Sequence, residues 1–128
     1  MINIYTDGSC ISTFGGWAYA IIETDGFIFV DSGNEKATTN NRMELKAVIE
    51  VLKFIDTKNE YTIFSDSQLT INCATNKWKR KSNIDLWNEY DVVAKDKNIT
   101  FEWIKSHNGN KYNEMVDKIA YKEANNKI

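Results

Sequence analysis

Five side chains stand out for the chemistry that their types and positions allow: Asp7, Glu44, Asp66, His107 and Asp117. Asp7 directly follows an apolar, strand-like run and precedes Gly8, and Asp66 ends the run Tyr61-Thr62-Ile63-Phe64-Ser65. In open α/β sheets the carboxyl ends of strands face the crevice where ligands bind. Glu44 lies four residues before Val48 and seven before Val51, so helical spacing sets it on the apolar face, toward a sheet. Asp117 shares a helical segment with Met115, Val116, Ile119 and Ala120. Carboxylates gathered in one crevice repel one another and need a cation to offset them. An all-oxygen site suits a hard ion, Mg²⁺ or Mn²⁺, and two such ions suit phosphoryl transfer. His107, the sole histidine, is entered from a strand and left through Asn108-Gly109-Asn110. An imidazole there is placed to shuttle protons.

Each of these residues has a plainer local reading. Asp7-Gly8 also reads as a turn, and Asp66 as the N-cap of the helix that follows. Asn41-Arg42-Met43-Glu44 resembles a capping box. Asp117 beside Lys118 fits a solvated surface, and His107 fits an exposed loop. A purely structural reading of all five, however, leaves Glu44 on an apolar face without a partner.

The elements that must position these groups read as follows. Strands are expected over Ile2–Thr6, Trp17–Glu23 and Phe27–Asp31, with the hairpin signal Asp25-Gly26 between the last two. A helix over Arg42–Ile55 carries Val48, Val51, Leu52 and Ile55 on one face. Tyr61–Ser65 reads as a buried strand and Ser67–Ala74 as a short helix. Ile84–Lys95 is a second amphipathic helix with the stripe Leu86, Tyr90, Val93 and Ala94. A strand over Ile99–Lys105 and a helix over Tyr112–Ala124 complete the order. That order predicts an α/β fold: a mixed sheet of five strands, an antiparallel hairpin followed by parallel crossovers, flanked by helices. The 128 residues contain no linker, repeat or low-complexity tract, which predicts one domain over 1–128.

Composition narrows the class. With 42% hydrophobic and 12% aromatic residues the chain can build a core, which excludes wholesale disorder. Its longest apolar run, Trp17 to Ile22, is far short of a membrane span, and no signal-peptide pattern precedes it. Two cysteines do not make a disulfide framework and fit free thiols in a reducing, cytoplasmic compartment. Met1 directly before the first strand favours a free-standing chain. The net charge of −2 argues against a general basic nucleic-acid binder. Its distribution does not: acidic residues predominate in the first half, basic ones in the second. The densest basic run is Lys77-Trp78-Lys79-Arg80-Lys81.

Taken in order, Asp7-Gly8-Ser9-Cys10, Thr39-Asn40-Asn41-Arg42-Met43-Glu44-Leu45, Asp66-Ser67-Gln68 and Trp103-Ile104-Lys105-Ser106-His107, with Asn113-Glu114 and Asp117, resemble type 1 ribonuclease H. The Thr-Asn-Asn-Arg-Met-Glu-Leu string is highly specific, and the motifs span residues 5 to 120. The resemblance implies the ribonuclease H-like fold. It also implies an endonuclease that cuts the RNA strand of an RNA/DNA hybrid, leaving 5′-phosphate and 3′-hydroxyl ends. Asp7, Glu44, Asp66 and Asp117 match the family's four metal-binding carboxylates, which would hold two Mg²⁺ ions, with Mn²⁺ as an alternative. His107 matches a loop histidine assisting proton transfer, and Glu114 a residue near the metals that modulates product release.

Substrate selection follows the same correspondence. Recognising RNA requires hydrogen bonds to several 2′-hydroxyls, which fall to main-chain groups at Cys10 and to the side chains of Glu44 and Gln68. Thr39 matches a residue of the pocket for a DNA phosphate, and Asn40 and Asn41 match groups that read the minor groove. Contacts to backbone and shape carry little base preference. Trp78 and Lys79 would grip the DNA strand by sugar packing and charge. Two departures stand out. Ser12-Thr13-Phe14-Gly15-Gly16 is shorter than the family's first loop and lacks its phosphate-pocket asparagine. Lys77-Trp78-Lys79-Arg80-Lys81-Ser82-Asn83 replaces a longer basic protrusion, which predicts weaker and more salt-sensitive hybrid binding. A monomer is expected. The alternatives are a hybrid-binding module whose catalysis has lapsed, or another nuclease or strand-transferase on this fold.

Overall fold

The computed structural model describes residues 2–125. Among them the order is β1 (Ile2–Ile11), β2 (Phe14–Ile22), β3 (Ile28–Glu35), α1 (Asn40–Phe54), β4 (Glu60–Ser65), α2 (Gln68–Ala74), α3 (Ile84–Ala94), β5 (Asn98–Trp103) and α4 (Lys111–Ala124). The strands form one mixed sheet in the order β3-β2-β1-β4-β5. β1, β2 and β3 pair antiparallel, while β4 and β5 join by parallel pairing. This is the expected architecture.

Its two faces are covered by different helices. Ile4 and Ile63 of the sheet pack with Val48, Val51 and Leu52 of α1, and with Trp87 and Tyr90 of α3. On the opposite face Tyr5, Ala18 and Ala20 meet Val116 and Ala120 of α4. Alternation along β1 produces this division, since successive side chains point to opposite sides. Three polar ties fix the helices around α1. Arg42 holds Asp85 with two hydrogen bonds, at 3.0 and 2.8 Å, joining the starts of α1 and α3. Lys97 Nζ donates to the carbonyls of Leu52 and Val93, at 2.6 and 3.2 Å, at the far ends of the same two helices. Lys53 reaches Glu89 at 2.7 Å.

Several boundaries differ from expectation, and the differences bear on the site. β1 does not end at Thr6. It runs through Asp7 to Ile11, because β2 pairs with it as far as Ile11↔Phe14 and closes on the two-residue turn Ser12-Thr13. Gly8, Ser9 and Cys10 have weak strand propensity, and cross-strand pairing overrides it. The turn reading of Asp7-Gly8 is therefore wrong. Likewise β3 extends past Asp31 to Glu35, drawn out by pairing with Gly15.

The capping readings also fail. Thr39 caps α1, its Oγ1 accepting from the Arg42 amide at 3.2 Å, so no capping box forms at Asn41–Glu44. Ser67, not Asp66, caps α2, its Oγ accepting from the Thr70 amide at 3.1 Å. Both carboxylates are thereby released from helix-end duties. In α3 the buried stripe is Leu86, Trp87 and Tyr90, with Val93 and Ala94 only partly covered. No helix among the described residues is long and apolar enough to cross a membrane.

Candidate active site

Gly8 is the point on which the site turns. A Cβ there would lie 2.2 Å from the Glu44 amide nitrogen and 2.3 Å from the Met43 carbonyl carbon. Only the missing side chain lets the start of α1 rest on β1 this closely. The approach brings Glu44, 36 residues away in sequence, to accept from the Gly8 N–H at 2.9 Å. The same N–H donates to Asp7 Oδ1, also at 2.9 Å. One backbone donor thus serves two carboxylates. Gly8→Ala is expected to destabilise the fold by at least about 3 kcal/mol, since backbone atoms rather than a side-chain tip must retreat. Thermal denaturation reads this directly, and a Tm equal to that of the unaltered chain would rule it out.

Asp66 arrives from the neighbouring strand. β1 and β4 pair in parallel through Tyr5↔Phe64, and continuing that register by two residues sets Asp7 beside Asp66. The Asp66 backbone is held from β5: its carbonyl accepts from Trp103 Nε1 at 3.2 Å, and the carbonyl of Ser65 accepts from the Ile104 amide at 2.9 Å. Asp7, Glu44 and Asp66 offer carboxylate oxygens that all lie within 4.8 Å of one another. Asp117 stands outside this group of three. It lies half-buried on α4, next to buried Val116, and it raises the proton affinity of Asp7 through a side-chain hydrogen bond and that of Asp66 through its charge.

The electrostatics of the cluster are unfavourable without a cation. Asp7 is 3% exposed and Glu44 7%, so neither carboxylate is well hydrated. Burial, reinforced by the charge of Asp66, pushes Asp7 up to about 8. Burial and the Asp7 charge hold Glu44 well above the usual carboxylate range. Asp66 is also raised, by burial and then by Asp117, although the Ser106 hydroxyl and His107 pull the other way. Among the described residues no ion pair involves any of the four. An all-oxygen donor set with buried, uncompensated charge fits a hard divalent cation.

The other expected residues fall at the ends of strands and helices and on the segments that connect them. His107 is exposed in the segment between β5 and α4, with a positive φ of 54°. Glu114 lies half-buried in the first turn of α4. Thr39, Asn40 and Asn41 are exposed at the start of α1, and Gln68 at the start of α2. Cys10 lies near the end of β1, its thiol directed at the Ser12 and Thr38 carbonyls, 3.2 and 3.6 Å away. The Thr13 carbonyl accepts from the Thr38 amide at 3.0 Å. This ties the hairpin tip to the segment carrying Thr39. Trp78 and Lys79 are exposed on the loop between α2 and α3. Sequence reasoning missed Gly8, Trp103 and Ser106 as supports. None carried a local signal of that role: Gly8 follows the strand-like run and reads as part of a turn until β2 pairs alongside it.

The sheet order and the helices on its two faces define the ribonuclease H-like class of α/β folds. The N-terminal RNase H domain of a Mycobacterium tuberculosis protein, solved as a maltose-binding-protein fusion, superposes with a TM-score of 0.83 at 21% identity, covering 97% of this chain and 93% of that one. LC11-RNase H1, solved in complex with an RNA/DNA hybrid, gives a TM-score of 0.78 at 21% identity over 95% of this chain and 98% of its own. At these identities the likeness is one of fold. The sequence is more specific. The RNase H family profile matches residues 1–125. Ribonuclease H of Campylobacter jejuni strain 81-176 is 45% identical, with 96% of this chain and 90% of the relative aligned. Ribonuclease H of Francisella philomiragia is 41% identical over 92% and 87%. The chain belongs to the RNase H family.

Proposed function

We propose that this chain is a metal-dependent endoribonuclease that hydrolyses the RNA strand of RNA/DNA hybrids, leaving 5′-phosphate and 3′-hydroxyl ends. The observation that carries the reading is the convergence of Asp7, Glu44 and Asp66 within 4.8 Å in a chain of this family. These three carboxylates, with Asp117 at the margin, hold two Mg²⁺ ions, for which Mn²⁺ is an alternative. When bound, such ions supply a water of lowered pKa and stabilise charge on the leaving oxygen. The chain's own groups do the rest. The Gly8 N–H orients Asp7 and Glu44 together. Trp103, through the Asp66 carbonyl, fixes the backbone that carries the third carboxylate.

His107, exposed beside Asp66, moves a proton at the reacting phosphate ester. Glu114, one helical turn before Asp117, modulates release of the product. Gln68, Glu44 and the main chain at Cys10 hydrogen-bond ribose hydroxyls, while Thr39, Asn40 and Asn41 meet the duplex at the start of α1. Trp78 and Lys79 lie along the DNA strand. A matched set of hybrid, double-stranded RNA and double-stranded DNA, each incubated with Mg²⁺, tests the reading. Cleavage of the hybrid alone is expected, and equal cutting of double-stranded RNA overturns the substrate assignment. His107→Ala is expected to slow hybrid cleavage by about 10²-fold without abolishing it, the usual size of a proton-transfer contribution. A variant as inactive as one lacking a carboxylate would show that His107 does more than move a proton.

A further inference from the structure

The loop between α2 and α3 carries four cations, and they are not equivalent. Lys77, Lys79 and Lys81 are exposed, as is Trp78, whereas Arg80 turns inward. Its guanidinium lies 4.4 Å from the centroid of the Trp87 ring and 5.5 Å from that of Tyr90. Its Nη1 donates to both carboxylate oxygens of Asp91 at 2.9 Å, and its Nε donates to the Cys73 carbonyl at 3.0 Å. Only 18% of its side chain is exposed. Among the described residues no other cation of this loop makes an ion pair. The front of the loop is fixed separately, by the amides of Lys77 and Trp78, which both donate to the Asn72 carbonyl, at 2.9 and 3.1 Å. Held at these two places, the loop borders a shallow depression of about 450 Å³ lined by Leu69, Lys77, Trp78, Lys79 and Lys81.

We propose that Arg80 is a positioning residue for the DNA-strand grip rather than part of its contact surface. The inference rests on the hybrid-cleaving function proposed above. A guanidinium already neutralised by Asp91 releases no counterion from a phosphate. What it supplies is order. A planar cation that lies over two rings, meets Asp91 through Nη1 and at the same time donates from Nε to the Cys73 carbonyl is a geometry that lysine does not reproduce. With the loop fixed beforehand, less freedom is lost when Trp78 and the lysines meet the strand, and this lowers KM without touching the chemical step.

The test is steady-state kinetics on a matched hybrid, with circular dichroism to establish folding. Arg80→Gln is expected to raise KM about tenfold with kcat changed less than about twofold, and Arg80→Lys, which keeps the charge, is expected not to restore KM. Lys79→Gln is expected to raise KM several-fold in the otherwise unaltered chain and to add little on top of Arg80→Gln, because a loop already displaced has lost that contact. Full rescue by Arg80→Lys, or strictly additive effects of the two Gln substitutions, would make Arg80 a direct phosphate contact and overturn the inference. So would an unchanged KM in a folded Arg80→Gln protein. If the Arg80 variants fail to fold, Asp91→Asn decides. Charge alone makes removal of an acid lower KM, whereas loss of the anchor raises it. Failure of the unaltered chain to cut the hybrid defeats the functional reading together with this one. Cutting that is indifferent to Arg80 and Asp91 defeats this one alone.

Discussion

Replacing Asp66 by Asn is expected to abolish hybrid cleavage in a protein that stays folded. The side chain is half-buried just beyond β4, and the fold holds this residue chiefly through its backbone, by way of Trp103. An amide of nearly equal size therefore disturbs little packing. It even relieves the cluster, because the Asp66 charge is one reason Asp7 retains its proton. What the amide cannot supply is the third anionic oxygen donor of the group. Metal ions contribute several kcal/mol of transition-state stabilisation, so the loss should reach at least about 10³-fold in kcat/KM. Turnover on a labelled hybrid, alongside circular dichroism, checks both halves. Near-normal turnover in the variant would remove Asp66 from the metal site.

The second large effect is on stability. In the unfolded chain Asp7 ionises near its ordinary value of 3.8, while in the fold it keeps its proton up to about 8. Between those values the folded state binds more protons, so the stability of the ion-free protein falls as pH rises, by up to about 1.4 kcal/mol per pH unit for one group. Below that window both states carry the proton, and above it neither does, so the dependence flattens at each end. Glu44 shifts in the same direction. On the proposed assignment Mg²⁺ binds the ionised carboxylates of the folded chain, and added Mg²⁺ is then expected to raise Tm strongly at about pH 8 and little at about pH 5. In Asp7→Asn the ion-free protein should be more stable than the unaltered chain at about pH 8 and should no longer respond to Mg²⁺. Melts with Mg²⁺ and with a chelator, across pH, decide this. A Tm that rises with pH in chelator would contradict the assignment.

The sheet, its helices and the acidic cluster were legible because they rest on local signals. Val48, Val51 and Leu52 repeat with helical period, and Glu44 falls in phase with them. Asp66 ends an uninterrupted strand. The extension of β1 was not legible, because it depends on Phe14–Ile22 arriving alongside. No local preference in Gly8-Ser9-Cys10 announces that partner. Capping went wrong for a related reason. Thr39 and Ser67 were better placed than Asn41 and Asp66, and a shift of one or two residues decides which oxygen reaches an amide. The burial of Trp87 and the inward turn of Arg80 explain one another. Neither could be read alone, because the contact spans a loop and a helix.

Asp7 in mid-strand and His107 outside any element have different exposures to insertion and deletion. Loss of one residue within β1 would move every following side chain to the opposite face of the sheet, taking a carboxylate out of the crevice and forcing a side chain against α1. Loss of one residue between β5 and α4 alters a connection and leaves the paired register as it was. The carboxylate half of the site is thus written in a reading frame that permits substitution but not slippage. His107 sits in a segment whose length is free of that constraint. A one-residue deletion there is expected to spare the β1–β4 register that sets Asp7 beside Asp66.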